Sequence, residues 1–262
     1  MRYGGKVVIV TGGTKGIGAG CVRVFVEEGG STVVFCARDA ADGRALEAEI
    51  NAKGPGRALF VRADVNRVED IQHLIDVAVE RFGRIDCLIN NAGWHPPHKP
   101  IDDFSVDDFR SLLNLNLVSY FAACKFALPH IRKVKGNIIN MSSLVGAMGQ
   151  IGATTYVATK GGITAFTKSL AIDEAAHDVR VNSVSPGNIY TPLWEEAIAG
   201  AADPAQCRAD GDAAQLLGRM GTIEEAGRLC LFIAADATFT TGVDHILSGG
   251  AELGYGRKSR KS

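Results

Sequence analysis

The 262-residue chain carries almost no net charge: 28 basic residues stand against 29 acidic ones, a formal charge of −1. That balance removes the general electrostatic argument for a nucleic-acid partner or an anionic membrane surface. Only the C-terminal GRKSRKS is locally basic, and it reads as a solvated end. Paired cysteines are missing too. Cys21, Cys36, Cys87, Cys124, Cys207 and Cys230 are scattered without a CxxC, most of them in apolar runs, as reduced and buried small side chains are. Neither HExxH nor any paired Cys/His spacing is present, so no metal is expected. The N-terminal MRYGGKVVIVTGG lacks a charged stretch followed by a long apolar one, and no run reads as the ~20 apolar residues of a membrane helix. These absences predict a protein of the cytosol with no membrane span.

What the chain does have is apolar mass in short pieces. At 46% hydrophobic it can bury one large core. Strands are expected at Val7–Val10, Thr32–Cys36, Ala58–Ala63, Cys87–Asn90, Asn137–Met141, Arg180–Ser185 and Asp244–Leu247. Between them lie helical patterns at Gly18–Glu28, Asp39–Ala52, Val68–Phe82, Val106–Ile131, Thr155–His177 and Glu224–Ala235. The strand runs are unalternated Val, Ile and Ala, as in strands covered on both faces. Strict alternation of the two element types predicts an α/β fold, a doubly wound parallel sheet of about seven strands with helices on both faces. A single domain, 1–262, is expected. Within it 1–140 reads as a cofactor half and 141–262 as a catalytic and substrate half. Residues 190–221 show no strand signal and read as an inserted, partly helical excursion over the site.

Chemistry concentrates at two places. TGGTKGIG, Thr11–Gly18, follows an apolar strand and opens a helix, so Gly12, Gly16 and Gly18 let backbone and helix N-terminus approach a pyrophosphate, as in Rossmann-type folds. Farther on, Ser143 precedes Tyr156 by thirteen positions and Lys160 follows it by four. At i and i+4 on a helix, Tyr156 and Lys160 share a face. A neighbouring cation favours the phenolate, which brings tyrosine toward useful acid or base strength against an alcohol oxygen.

TGGTKGIG, NNAG at Asn90–Gly93, the Ser143…Tyr156…Lys160 trio and SPG at Ser185–Gly187, in that order, resemble the short-chain dehydrogenase/reductases along nearly the whole chain. The resemblance implies an NAD(P)-dependent oxidoreductase that interconverts a secondary alcohol and a ketone. It implies that Asn116, in LLNLNL, joins Ser143, Tyr156 and Lys160 as a catalytic residue through a water linking the lysine to solvent. Cofactor contacts are implied at Gly12, Lys15, Gly16, Ile17, Gly18, Arg38, Asp64, Val65, Asn91, Ala92, Gly93, Tyr156, Lys160, Gly187, Ile189, Thr191 and Leu193. The long apolar stretches Asn116–Ile131 and Thr155–Ala176 resemble the family's paired-helix interface and imply a homo-oligomer, a tetramer.

Within the family, NNAGWHPP, SSLVGAMGQ, SPGNIYTPLWEE and SGGAELGYG are similar to the type 14 branch of the 17-beta-hydroxysteroid dehydrogenases. This makes a 17-beta-hydroxysteroid of the estradiol or androstenediol type the first expectation for substrate, with L-fucose or a similar sugar as the alternative. A catalytically silent nucleotide-binding scaffold is the reading from another class. Substrate contacts are expected from His95, Ser143, Gln150, Tyr156, Asn188, Trp194 and Tyr255, with Tyr190 and Leu193 beside them. Trp194 suits a flat apolar ring, whereas His95 and Gln150 suit a sugar. Tyr255 stands as a residue for its own or a neighbouring subunit's pocket. At the end of the second strand, TVVFCARDA puts Ala37 where NAD enzymes of this fold place an acidic residue, and Arg38 follows. NADP use is therefore expected alongside NAD, with Lys15 as a second cation and Asp39 as a competing ribose ligand.

Overall fold

The computed structural model describes Met1 to Leu253; Tyr255 and the basic tail lie outside the described residues. Seven strands, β1 (Val7–Thr11), β2 (Thr32–Ala37), β3 (Arg57–Arg62), β4 (Cys87–Asn90), β5 (Asn137–Met141), β6 (Arg180–Pro186) and β7 (Asp244–Leu247), form one parallel sheet in the order β3-β2-β1-β4-β5-β6-β7. Strand order reverses between β1 and β4, and the crevice beyond the strand ends at such a reversal is where open α/β sheets bind ligands.

The unalternated strands divide their residues between two cores. Val8 and Val10 of β1, with Val33 and Phe35 of β2, face α1 (Gly16–Glu27), α2 (Ala40–Asn51) and a late helix, Ile223–Ala235. Ile9, Val34 and Cys36 face the opposite layer of α3 (Val68–Phe82), Ser119–Ile131 and Thr154–Glu174. Each apolar residue of a strand thus has its own layer to enter, since successive side chains leave on opposite faces. α3 shows the local logic. Ile71, Leu74, Ile75 and Ala78 recur at helical spacing and are buried, Glu69 and Asp70 occupy the first turn, and Gly83 closes the helix at φ 71°.

Two stretches differ from expectation. The helix expected over 106–131 is α4 (Val106–Leu113), a π-helical turn at Asn114–Val118, and α5 (Ser119–Ile131). Its continuation, 106–134, is long and apolar enough to cross a membrane, with an 18-residue window of mean hydropathy 1.3, against the sequence reading; half of that window is buried in the fold, so its apolarity serves the core. A short α6 (Val145–Met148) then precedes α7 (Thr154–Glu174). The excursion at 190–221 holds two helices, α8 (Pro192–Ala199) and α9 (Pro204–Ala213), and α10 (Ile223–Ala235) follows.

α1 and α10 approach closely enough to require glycine. A Cβ on Gly20 would lie 2.1 Å from the Ile223 carbonyl oxygen, and one on Gly227 would lie 2.6 Å from that of Gly20. Backbone on both sides leaves no flexible group to yield. Gly20→Ala is therefore expected to destabilise by about 1–3 kcal/mol, the usual cost of overpacking, and to lower the thermal midpoint by about 2–4 °C per kcal/mol. An unchanged melting curve would show that the two helices are not held at this distance.

Candidate active site

The first glycine loop is folded flat by its neighbours. Gly12 and Gly16 take φ of 64° and 55°, and a Cβ on Gly18 would lie 2.1 Å from the Gly12 carbonyl oxygen and 2.5 Å from the Asn91 amide nitrogen. Asn91 explains the hold: its Nδ2 donates to the carbonyls of Thr11 and Gly12, at 3.0 and 3.1 Å, while the Thr11 hydroxyl accepts from the backbones of Asn91 and Ala92. Lys15, the N-cap residue of α1, makes no side-chain capping bond. A cradle of flattened glycines against a helix N-terminus fits a dinucleotide pyrophosphate. Ile17 packs against the core beneath it. Thr191, whose methyl would be 3.5 Å from a Cβ on Gly16, faces the same loop from the start of α8.

At the far end of β2, the half-buried Ala37 pairs directly with Arg62 of β3, and Arg62 Nε donates to the Arg38 carbonyl at 3.2 Å. Two guanidinium side chains therefore stand at this edge. Asp39 is occupied otherwise: its carboxylate caps α2 by accepting from Ala41 and Asp42, and those two bonds hold it below its ordinary pKa. Lys15 pairs with Asp42 at 2.8 Å. Asp64 accepts from the backbone and side chain of Asn66, with Val65 between them. Arg62 was absent from the sequence reading, since strand pairing brought it here.

The expected catalytic residues converge at the ends of β4 and β5. Asn116 sits in the π-helical turn, fully buried. Its Oδ1 accepts from the Trp94 backbone at 3.0 Å, and its Nδ2 donates to the Trp94 carbonyl and to the Thr159 hydroxyl. A Cβ on Gly93 would be 3.2 Å from that Oδ1 and 3.6 Å from Lys160 Nζ, so a side chain there would crowd the asparagine. The Lys160 ammonium, buried, donates to the Met141 carbonyl at 2.9 Å and lies 5.6 Å from the centre of the Tyr156 ring.

Burial governs both titratable groups. It pushes Tyr156 up to about 12, opposed by a hydrogen bond from Ser143, and brings Lys160 down to about 7. The sequence reading had Lys160 draw the phenol down; here Ser143 does so, because the lysine's own charge is disfavoured and its proton is directed to Met141. His95 covers the tyrosine, ring centre to ring centre 4.1 Å. Its Nδ1 meets the Pro96 carbonyl oxygen at 2.6 Å and its Nε2 meets Gln150 Oε1 at 3.0 Å. His98, which the sequence reading missed, continues the stack 5.0 Å from His95, and burial with the neighbouring imidazole lowers its pKa.

Other expected contacts stand apart from this cluster. Asn188 donates to the Gly211 carbonyl at 3.0 Å, and Trp194 lies against Gly211. The two line a groove of about 450 Å³ with Cys207 of α9, so they tie the excursion to the sheet end. Tyr190 carries the Arg208 guanidinium 4.5 Å above its ring. Ile189 is buried and bridges to Gly221, Leu193 is exposed, and Gly187 packs against Ser248.

The short chain dehydrogenase family model matches residues 6–201. L-fucose dehydrogenase of Mus musculus is 53% identical over 261 residues, covering 100% of this chain and 93% of that one. L-fucose dehydrogenase of Bos taurus is 54% identical, covering 98% and 93%. Among solved structures, the Cj0485 dehydrogenase superposes with a TM-score of 0.87 at 30% identity, covering 95% of each chain. The expected kinship with the steroid branch is thereby corrected: the full-length relatives at this identity are sugar dehydrogenases, and nothing among them supports a steroid or lipid substrate. With the family model over residues 6–201 and relatives of 53% and 54% identity along nearly the whole chain, the chain belongs to the short-chain dehydrogenases and is an oxidoreductase of that family.

Proposed function

We propose that the chain is an NAD(P)-dependent sugar dehydrogenase that oxidises a hydroxyl-bearing carbon of L-fucose or a closely similar sugar. The observation that carries this is the set of four L-fucose dehydrogenases at 51–54% identity over 97–100% of the chain. The cleft is consistent with it. Ser143, His95 and Gln150 gather beside Tyr156, and a polyol needs such polar contacts where a steroid ring needs apolar ones. When bound, the nicotinamide supplies the hydride acceptor. Tyr156 takes the hydroxyl proton, Ser143 holds the same oxygen, Asn116 fixes the NNAG strap, and Lys160 holds charge beneath the phenol.

Turnover followed at the reduced nicotinamide absorbance should be strong with L-fucose and weak with estradiol or androstenediol; steroid turnover without sugar turnover would reverse the reading. Tyr156→Phe keeps the ring under His95 and should lose roughly 10²–10⁴-fold in kcat with an unchanged melting curve. Sugar oxidation should also rise with pH. The phenol is held high by burial, so its basic form grows as pH climbs toward about 12.

We further infer that NADP is used alongside NAD and is favoured. Ala37 offers no carboxylate to repel a 2′-phosphate, Arg38 and Arg62 can pair with it, and Asp39 is spent on capping α2. Ala37→Asp should shift the ratio of kcat/KM toward NAD by about ten- to a hundred-fold, the worth of a charge-assisted bond. A wild type selective for NAD, or a variant with no shift, would count against this assignment.

A tetramer is proposed on the apolar outer face of the paired helices. Val118 and Phe121 of the π turn and α5, and Ile172 of α7, are exposed by 44%, 54% and 77%, more than a monomer needs to leave in water. Light scattering should find an oligomer at micromolar concentration. A monomer would show that this face has no second copy.

A further inference from the structure

The proposed reaction makes no use of Tyr120, yet this phenol is built into the catalytic cluster. It lies on α5 one turn beyond Asn116 and is 1% exposed. Its hydroxyl donates to the Met141 carbonyl oxygen at 3.2 Å. The same oxygen accepts the Lys160 ammonium at 2.9 Å, and Nζ stands 5.9 Å from the centre of the Tyr120 ring. One acceptor at the end of β5 therefore serves a neutral donor from α5 and a charged donor from α7.

A carbonyl has two lone pairs, so it can take both bonds, but each donor draws on the same partial charge and weakens the other. For Lys160 this matters more than usual. The groups around it are Tyr156 on its own helix, Tyr120 and then Cys124 on α5, Asn116 on the π turn, and Ser142 and Ser143 after β5. None carries a formal opposite charge, and burial brings the lysine's pKa down. The Met141 carbonyl is the support that favours its charged form.

We propose that Tyr120 is a positioning residue for Lys160: by sharing the Met141 carbonyl it weakens that carbonyl's hold on the ammonium, and so sets how firmly Lys160 keeps its proton and its place below Tyr156. Burial keeps the Tyr120 phenol far above its ordinary pKa, so it acts as a neutral donor throughout the working range. The inference rests on Lys160 as the cation of this site. It is independent of which alcohol is oxidised.

The test reads Lys160 directly in the full-length protein without substrate, by NMR titration of isotope-labelled lysine side chains, with Lys160→Arg to identify the signal. Tyr120→Phe removes the competing donor and keeps the ring, so the Lys160 titration should move up by about half a pH unit, the size of a net neutral hydrogen bond. Installing 3-fluorotyrosine at 120 keeps the shape and makes a stronger donor, so the titration should move down. Opposite shifts support the proposal, because a purely structural role gives no reason for a sign change. No shift in either protein, or a downward shift in Tyr120→Phe, would overturn it. If Tyr120→Phe does not fold, the fluorinated protein decides alone: a fall supports the proposal, and no change or a rise ends it. Because no sugar is present, failure here is distinct from failure of the substrate reading.

Discussion

A lysine ammonium buried without a counter-charge is the constraint around which this site is arranged. Removing a cation from water costs several kcal/mol even after relaxation, and here the relief comes from one carbonyl at the end of β5. The lysine answers by falling to about 7, far below its ordinary value. Its neighbours are constrained in turn. Gly93 leaves no side chain between Nζ and Asn116, and Ser142 ties the Lys160 carbonyl at 2.8 Å, which fixes α7 against the strand end. A carboxylate in this shell would stabilise the cation further and hold it charged well above neutrality. Amides and hydroxyls leave it poised.

Much of this was legible in sequence because it is local. Strands buried on two faces announce themselves as apolar runs, α3 by its spacing and its glycine stop, and the Tyr156–Lys160 pair by i and i+4. Other features needed the fold. The π turn inserts a residue into a helical pattern that reads as continuous from Val106 to Ile131, and only the turn gives Asn116 its grip on Trp94. Arg62 reaches Ala37 and Arg38 at the end of β2 because β3 pairs with β2, which no spacing within either strand reveals. The direction of control between lysine and tyrosine was misread for a similar reason. Helical spacing shows which groups are near, whereas burial decides which of them keeps a charge.

The substrate expectation failed at residues whose type was informative and whose packing was not. An indole near the cleft reads as a platform for a flat apolar ring, but Trp194 packs on Gly211 and joins α8 to α9. Asn188 likewise donates to Gly211. Both act on the excursion as a unit. The groups that do gather at Tyr156 are imidazole, amide and hydroxyl, contributed by the NNAG loop and the segment before α7. Motifs such as SPGNIYTPLWEE therefore mark how the excursion is anchored, a property that enzymes with different alcohols can share.

The NNAG segment shows why the two halves of the chain act as one site. Four successive residues each reach a different part of it: Asn91 holds the glycine loop, Ala92 donates to the Thr11 hydroxyl, Gly93 leaves room for Asn116, and Trp94 is clamped by that asparagine at both its N–H and its carbonyl. His95 then lies on the Tyr156 ring. A short backbone thus separates the side chain that holds the glycine loop from the ring over Tyr156, and Asn91, Ala92 and Trp94 along it are tied by hydrogen bonds. Shifting this strap would break those bonds together, at about 0.5–1.5 kcal/mol each. The distance between pyrophosphate cradle and phenol is accordingly set by this short backbone and by the Asn91 and Asn116 side chains that tie it, and a reaction sensitive to sub-ångström placement requires such a hold.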